Sequence, residues 1–383
     1  MLNAMKISQN SKSNFFVAAM LWFGTIYSVP QVVFLLPLLY LYVQKSGRLA
    51  YSRNDFLVII FITIFSLLNY IYGSFAFVDF VGNRSPYFVI YPLCYLLARQ
   101  LNLQIFFFVA CLVAFECLFV FLEVAAGINT PFTSHSLFRS GMTLESLYFF
   151  RPFGLSDGIN SMGAKLVCAI VITDYLVEEK KYQTILRVVL LAALVINFSR
   201  TALLAVVFHY LIYFFQGRRL VWFFFGGGGL LLLAALYEGT SGGFLDAAFD
   251  QLNRGKSDDL DYSFRDVIWG EVWSFILENP IFGNGSSKVF TWINEYGAWE
   301  HAHNSFLHVV SANGIVISSM LIGWLFVSLT RRTWKLVFPL VIFSLGQYGI
   351  FWSISFMDLV FLGFIFSLRK MGEKGFSYDI AKN

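Results

Sequence analysis

Residues 102–127 read NLQIFFFVACLVAFECLFVFLEVAAG, an apolar run with only two charges, Glu116 and Glu123. A spanning helix needs about 20 such residues, and this run supplies them with margin. Comparable runs stand on both sides of it, at 15–28, 30–44, 55–72, 84–98, 162–178, 184–198, 201–216, 220–237, 304–328, 334–350 and 353–368. The whole chain is 58% hydrophobic, 19% aromatic and 13% charged, far from the composition of soluble globular domains. The expectation is an all-α polytopic membrane protein of about twelve transmembrane helices, with residues 1–383 forming a single integral membrane domain. The first two runs meet at Ser28-Val29-Pro30 and can form either two short helices or one long kinked helix. No small-residue cleavage site follows Lys6 and Lys12, so an uncleaved first helix is expected. Cys94, Cys111, Cys117 and Cys168 all lie in apolar runs without disulfide or zinc spacing. A net charge of +4 carries no implication of nucleic acid.

Charge orients the runs. Lys180-Lys181, Arg218-Arg219, Arg331-Arg332 and Arg369-Lys370 fall at alternate connections, which the positive-inside rule assigns to the cytoplasm. Arg99 and the Lys45, Arg48, Arg53 group follow them. The two long connections, 128–161 and 238–303, then lie on the far side of the membrane, where loops of such length are usually functional. Within the second, SFRDVIWGEVWSFILENPIFGNG repeats apolar residues at Phe264, Val267, Ile268, Val272, Phe275 and Ile276 and stops at Asn279-Pro280 and a Gly-x-Gly turn. This rhythm predicts an amphipathic helix on the outer membrane face. There is no internal repeat of the kind many transporters show.

Nine basic residues face outward in this arrangement: Arg84, Arg139, Arg151, Lys165, Arg200, Arg254, Lys256, Arg265 and Lys288. Arg200 sits between two apolar runs with almost no loop around it. An arginine at a membrane boundary either snorkels or meets an anion, and its planar fork suits a diphosphate. Arg265 opens the amphipathic helix, and Arg151 begins RPFGLSDGIN. The stretch EHAHNSFLH, 300–308, holds three of the chain's five histidines. His303 stands at the start of a spanning helix, where Asn304 or Ser305 can cap free amides and the positive end of the dipole disfavours an imidazolium. A neutral imidazole there is a usable base. His301 reads equally as an interfacial hydrogen-bonding residue, His308, one turn into the helix, reads as structural, and Glu300 with the three histidines matches no standard zinc pattern. Glu116 and Glu123, seven apart on one helix face, together with His209 and Asp358, either satisfy each other, line a cavity or mark a proton path. The tract FFFGGGGLLLL at 223–233 lacks the Gly-Lys-Ser/Thr of a phosphate loop.

These residues resemble the O-antigen polymerase and O-antigen ligase superfamily (Wzy-type) of bacterial polysaccharide assembly, over about 151–330. The resemblance is carried by His303-Asn304, nine residues and Gly314 in HNSFLHVVSANG, by SRTALLA around Arg200, by RPFGLSDGIN, and by Arg265 followed by Pro280, Gly283 and Gly285. The ligase-type pattern continues to a Gly, Thr or Tyr where this chain has Ile317, which favours a polymerase. The resemblance implies a GT-C-like helical bundle in the bacterial inner membrane, with an active site facing the periplasm and no cofactor. Its donor would be an undecaprenyl-diphosphate-linked oligosaccharide, and its neighbours membrane lipid, a chain-length regulator and a flippase. Arg200, Arg265 and His303 would be catalytic, the arginines on the diphosphate and His303 on the acceptor hydroxyl. Arg151, Arg254, His301 and Asn304 would assist in binding, and Asp157 and Asp266 are both binding candidates and rival bases. A ligase acting on lipid A-core, or a lipid-linked oligosaccharide flippase, are the alternatives.

Overall fold

The computed structural model describes residues 11–26, 29–45, 47–76, 87–126, 152–215, 265–285, 290–293, 298–351 and 355–368. Among these, twelve α-helices carry the architecture: α1 (Ser11–Phe23), α2 (Leu36–Gln44), α3 (Arg53–Ala76), α4 (Tyr87–Ala98), α5 (Leu103–Ala126), α6 (Ile159–Leu176), α7 (Lys180–Asn197), α8 (Arg200–Phe215), α9 (Arg265–Glu278), α10 (Ser305–Ser328), α11 (Thr333–Gly346) and α12 (Phe356–Phe366). A 3-10 turn (Gln31–Leu35) leads into α2. The one departure from helix among the described residues is a hairpin of β1 (Phe290–Ile293) and β2 (Ala298–His301). Four helices are long and apolar enough to cross a membrane, at Arg53–Ser74, Leu103–Glu123, Ile159–Leu176 and Ser305–Ser328, and five shorter ones are apolar. The run at 220–237 and its glycine tract lie outside the described residues.

Residues 15–44 form two helices rather than one. α1 and α2 run antiparallel, Ser13 Oγ donating to Gln44 Oε1 at 2.7 Å while Phe16 meets Tyr40 edge-on at 4.9 Å. α6 is the axis of the bundle, with every residue from Leu166 to Asp174 buried, as an all-round apolar helix requires. It packs against α5, α7, α8, α11 and α12. Exposed Leu118, Leu122, Ile64, Leu68, Phe326 and Val327 cover the outside of the bundle, a surface suited to hydrocarbon.

Buried charges explain how an apolar bundle fixes its register. Lys165, expected to face outward, is instead buried in the bundle, with Nζ 2.8 and 3.0 Å from the two oxygens of Glu116. Trp22 Nε1 and Ser156 Oγ also donate to that carboxylate, at 2.8 and 3.1 Å. Glu123 accepts from the Gly154 amide at 2.9 Å, so both glutamates serve the segment 152–156, and neither pairs with the other. That segment is buried throughout, and Gly154 sits at φ +57° where a Cβ would press on Val120 and Glu116. Asp174 joins Arg187 of α7 to His209 of α8, with His209 Nε2 at 2.9 Å. Asp358 accepts from the Phe351 amide at 2.7 Å and from Ser355 Oγ at 2.8 Å, an engagement that fixes the α11–α12 loop.

Removing one partner of a buried ion pair leaves an uncompensated charge. Lys165→Met is expected to lower the stability of the detergent-purified protein by about 3–5 kcal/mol, measured by thermal unfolding, while the double substitution Glu116→Leu/Lys165→Met recovers part of that loss.

Candidate functional site

Four segments converge at one end of the bundle. α7 closes on Phe198, which takes the left-handed conformation (φ 54°) and returns its amide to Leu194 O. Ser199 follows, and its carbonyl starts the next helix through Leu203 N at 2.9 Å. This two-residue corner makes Arg200 the first residue of α8, exposed at the helix N-terminus. α9 begins at Arg265 and buries Ile268, Val272 and Ile276, one face at four-residue spacing. Trp273 and Leu277 on its other side are exposed. The helix therefore extends as its sequence rhythm predicts, with Glu271, Ser274 and Glu278 exposed beside Trp273 and Leu277 on its outward side.

The chain then turns through Pro280–Gly285 into the middle of α10. That helix is broken at Gly314 (φ 74°, ψ 171°), and the turn fills the break. Ile315 N donates to Pro280 O at 2.7 Å, Asn284 N to Ser311 O at 3.0 Å, and Asn69 Nδ2 to Asn313 O at 2.6 Å. A Cβ on Gly314 would lie 1.9 Å from Ile281 O, and one on Gly283 2.4 Å from Ser311 O. The glycines of the turn and of the helix are thus two halves of one contact.

His303 is fixed by tethers on successive residues. Trp269 Nε1 of α9 donates to Ala302 O at 2.6 Å, and the His303 amide donates to Tyr348 Oη at 2.9 Å. Asn304 caps α10, its Oδ1 accepting from Phe306 and Leu307 amides at 2.9 and 3.1 Å while its Nδ2 donates to Leu345 O at 2.9 Å. Its side chain is therefore committed to the cap. The His303 ring stacks on Tyr348, centroids 5.6 Å apart at 27°, and Tyr348 meets His308 edge-on at 5.8 Å.

Arg265 reaches the same place from α9. Its Nη1 lies within 4 Å of where a Cβ on Gly346 would stand, beside Thr201 of α8. Burial, and then the positive charge of Arg200, pull the Arg265 guanidinium below its ordinary pKa, with Tyr348 opposing. Its Nε is buried and has no hydrogen-bond partner among the described residues. Two arginines within each other's field, with Tyr348 between Arg265 and the His303 ring, offer charge complementary to a multiply charged anion.

Arg200 and Arg265 thus feel each other's charge, and Tyr348 links Arg265 to the His303 ring. Asp157 is exposed in the turn before α6. Arg151 and Arg254 lie outside the described residues, and of Asp266 and His301 only the backbone is described, in α9 and β2. Sequence reasoning missed Tyr348, one of 19 tyrosines, and the hairpin that delivers the chain to His303, which pairs Trp292 with Trp299 and Phe290 with His301. Among the described residues no three His, Cys, Asp or Glu side chains gather as a metal site would require.

Residues 185–322 match the model of the family described as O-antigen ligase (Wzy_C). The matched segment runs from α7 into the second half of α10, so Arg200, Arg265, His303 and Gly314 all fall inside it. The match supports the O-antigen ligase and polymerase superfamily and implies an activity like that of a membrane glycosyltransferase. No curated protein matches the chain at a significant level.

The break and its plug make a specific demand on one glycine. Gly314→Ala is expected to lower the thermal unfolding temperature, by at least the roughly 1–3 kcal/mol of a strained backbone position. Gly323→Ala, in the same helix with nothing within 4 Å of the added Cβ, is expected to leave it unchanged.

Proposed function

We propose that this chain is an O-antigen, or related surface polysaccharide, polymerase that joins undecaprenyl-diphosphate-linked repeat units. The observation carrying this reading is that Arg265 Nη1 reaches Gly346 and Thr201 of α8, the helix that Arg200 opens, while the adjoining loop residue Tyr348 fixes the His303 ring. Charged groups at a membrane boundary are costly and mark sites that meet charged substrates. A lipid diphosphate leaving group fits, because arginines alone can stabilise the charge that develops on it.

In the reaction the acceptor hydroxyl oxygen attacks the anomeric carbon of the donor saccharide. The bond from that carbon to the diphosphate oxygen breaks, its electron pair leaves with undecaprenyl diphosphate, and the hydroxyl proton passes to the His303 imidazole. Attack opposite the leaving group inverts the anomeric centre. The reading carries with it twelve spans in a GT-C-like bundle, a bacterial inner-membrane location and a site open to the periplasm. It also entails cooperation with a flippase that delivers the donor and a regulator that sets chain length. A ligase differs only in its acceptor, the sugar of lipid A-core. The matched family does not separate the two, and Ile317 favours the polymerase.

Deleting the gene in its own host and resolving the lipopolysaccharide on a gel separates these readings. Core bearing a single repeat unit is expected and identifies a polymerase. Core without repeats, with lipid-linked polymer accumulating, identifies a ligase, and an unchanged ladder defeats both. Complementation with Arg200→Ala, Arg265→Ala or His303→Ala is expected to lower polymer formation by on the order of 10²-fold; His303→Ala within a few-fold of wild type removes that residue from the chemistry.

A further inference from the structure

We propose that Tyr348 is the positioning residue of the glycosyl-transfer site, holding the His303 imidazole where it receives the acceptor proton. The inference rests on the glycosyltransferase reading above. Tyr348 lies beyond the segment that matches the O-antigen ligase family, so only the fold brings it to the site.

His303 is one of three residues other than glycine with positive φ among the described residues, at 45°. That conformation is uncommon for a side chain of this size and persists where surroundings enforce it. The enforcing contact is the hydrogen bond from its amide to Tyr348 Oη, 2.9 Å. The same tyrosine lays its ring along the imidazole, 5.6 Å and 27°, so one side chain fixes both the backbone and the plane of the candidate base.

Tyr348 is itself held from both sides. Ser305 Oγ donates to Gln347 O at 3.2 Å and accepts from Gly349 N at 3.0 Å, while Asn304 Nδ2 holds Leu345 O. Ser305 is fully buried. The end of α11 and the loop after it, 345–349, are therefore laced to the 303–305 cap. Tyr348 also raises the Arg265 guanidinium against the pull of burial and Arg200, which brings its hydroxyl into the field of the group proposed to hold the diphosphate. A base held in one orientation by a rigid neighbour needs no reorganisation at the moment of transfer.

The experiment uses the full-length protein in membranes from a strain lacking the native gene, supplied with the host's undecaprenyl-diphosphate-linked repeat unit, and follows release of undecaprenyl diphosphate. Tyr348→Phe keeps the ring and removes the accepting oxygen. Its kcat is expected to fall about tenfold, the effect of one hydrogen bond, with the donor KM and the membrane level unchanged. Tyr348→Leu, lacking the ring as well, is expected to fall further. The double variant Tyr348→Phe/His303→Ala should be no slower than His303→Ala alone, because a residue acting through His303 has nothing left to orient. A Tyr348→Phe enzyme within twofold of wild type in kcat overturns the proposal. So does a rise in KM alone, a loss of stability that tracks the loss of activity, or additive behaviour in the double variant. If the wild-type protein releases no undecaprenyl diphosphate, the enzymatic reading falls with it, and the Tyr348→Phe comparison under an active wild type tests the positioning role separately.

Discussion

Everything at the site end hangs on backbone hydrogen bonds across the break in α10. In a bilayer no water satisfies freed amides and carbonyls, so an interrupted helix needs partners from the protein itself. Pro280 O, Asn284 N and the Asn69 carboxamide supply them to Ile315 N, Ser311 O and Asn313 O. Because the donor segment is the C-terminal continuation of α9, satisfying α10 also fixes α9. Arg265 stands at the far end of α9 and His303 just before α10, so one backbone junction sets the relation between the proposed anion clamp and the proposed base. Trp269, reaching from α9 to Ala302 O, repeats the coupling nearer the site.

The helical bundle was legible in the sequence because apolar runs of membrane-spanning length carry their own boundaries, and those of α5 and α10 coincide with the observed helices within a residue or two. α9 was legible from its spacing and from the Asn279-Pro280 stop. Arg200, Arg265 and His303 stand out in the sequence because charge is scarce in this chain, and their roles are proposals. Lys165 stood out for the same reason and was misread: its partner Glu116 lies 49 residues away in sequence, and no local pattern reports such a pairing. Tyr348 had no contrast at all. An aromatic residue in an aromatic-rich membrane protein looks like packing or interface, and only the lacing of the 345–349 loop onto the cap of α10 gives it another role.

The turn Pro280–Gly285 shows how a short motif can be legible yet unexplained. Its glycines are visible as a turn, and Gly314 is visible as a fixed distance from His303. That the turn backbone at Ile281 and Phe282 fills the Cβ space of Gly314, the α10 backbone that of Gly283, and α3 at Asn69 and Gly73 that of Gly285, is a three-dimensional fact. Each glycine alone is compatible with many folds; together they specify this junction.

The same break divides α10 mechanically. Residues 315–328 carry exposed Ile315, Val316, Phe326 and Val327, whereas His308, Val309, Ser311 and Ala312 on the other side of Gly314 are buried. A continuous helix tilts as a unit when the surrounding bilayer thins or thickens. Here the two halves meet at a non-helical glycine whose neighbours are bonded to a separate segment, so the joint is a place where a tilt of residues 315–328 would be absorbed. The half that begins beside His303 is bonded to the turn after α9 and to Leu345 and Gln347, which ties the proposed site to the protein rather than to the lipid.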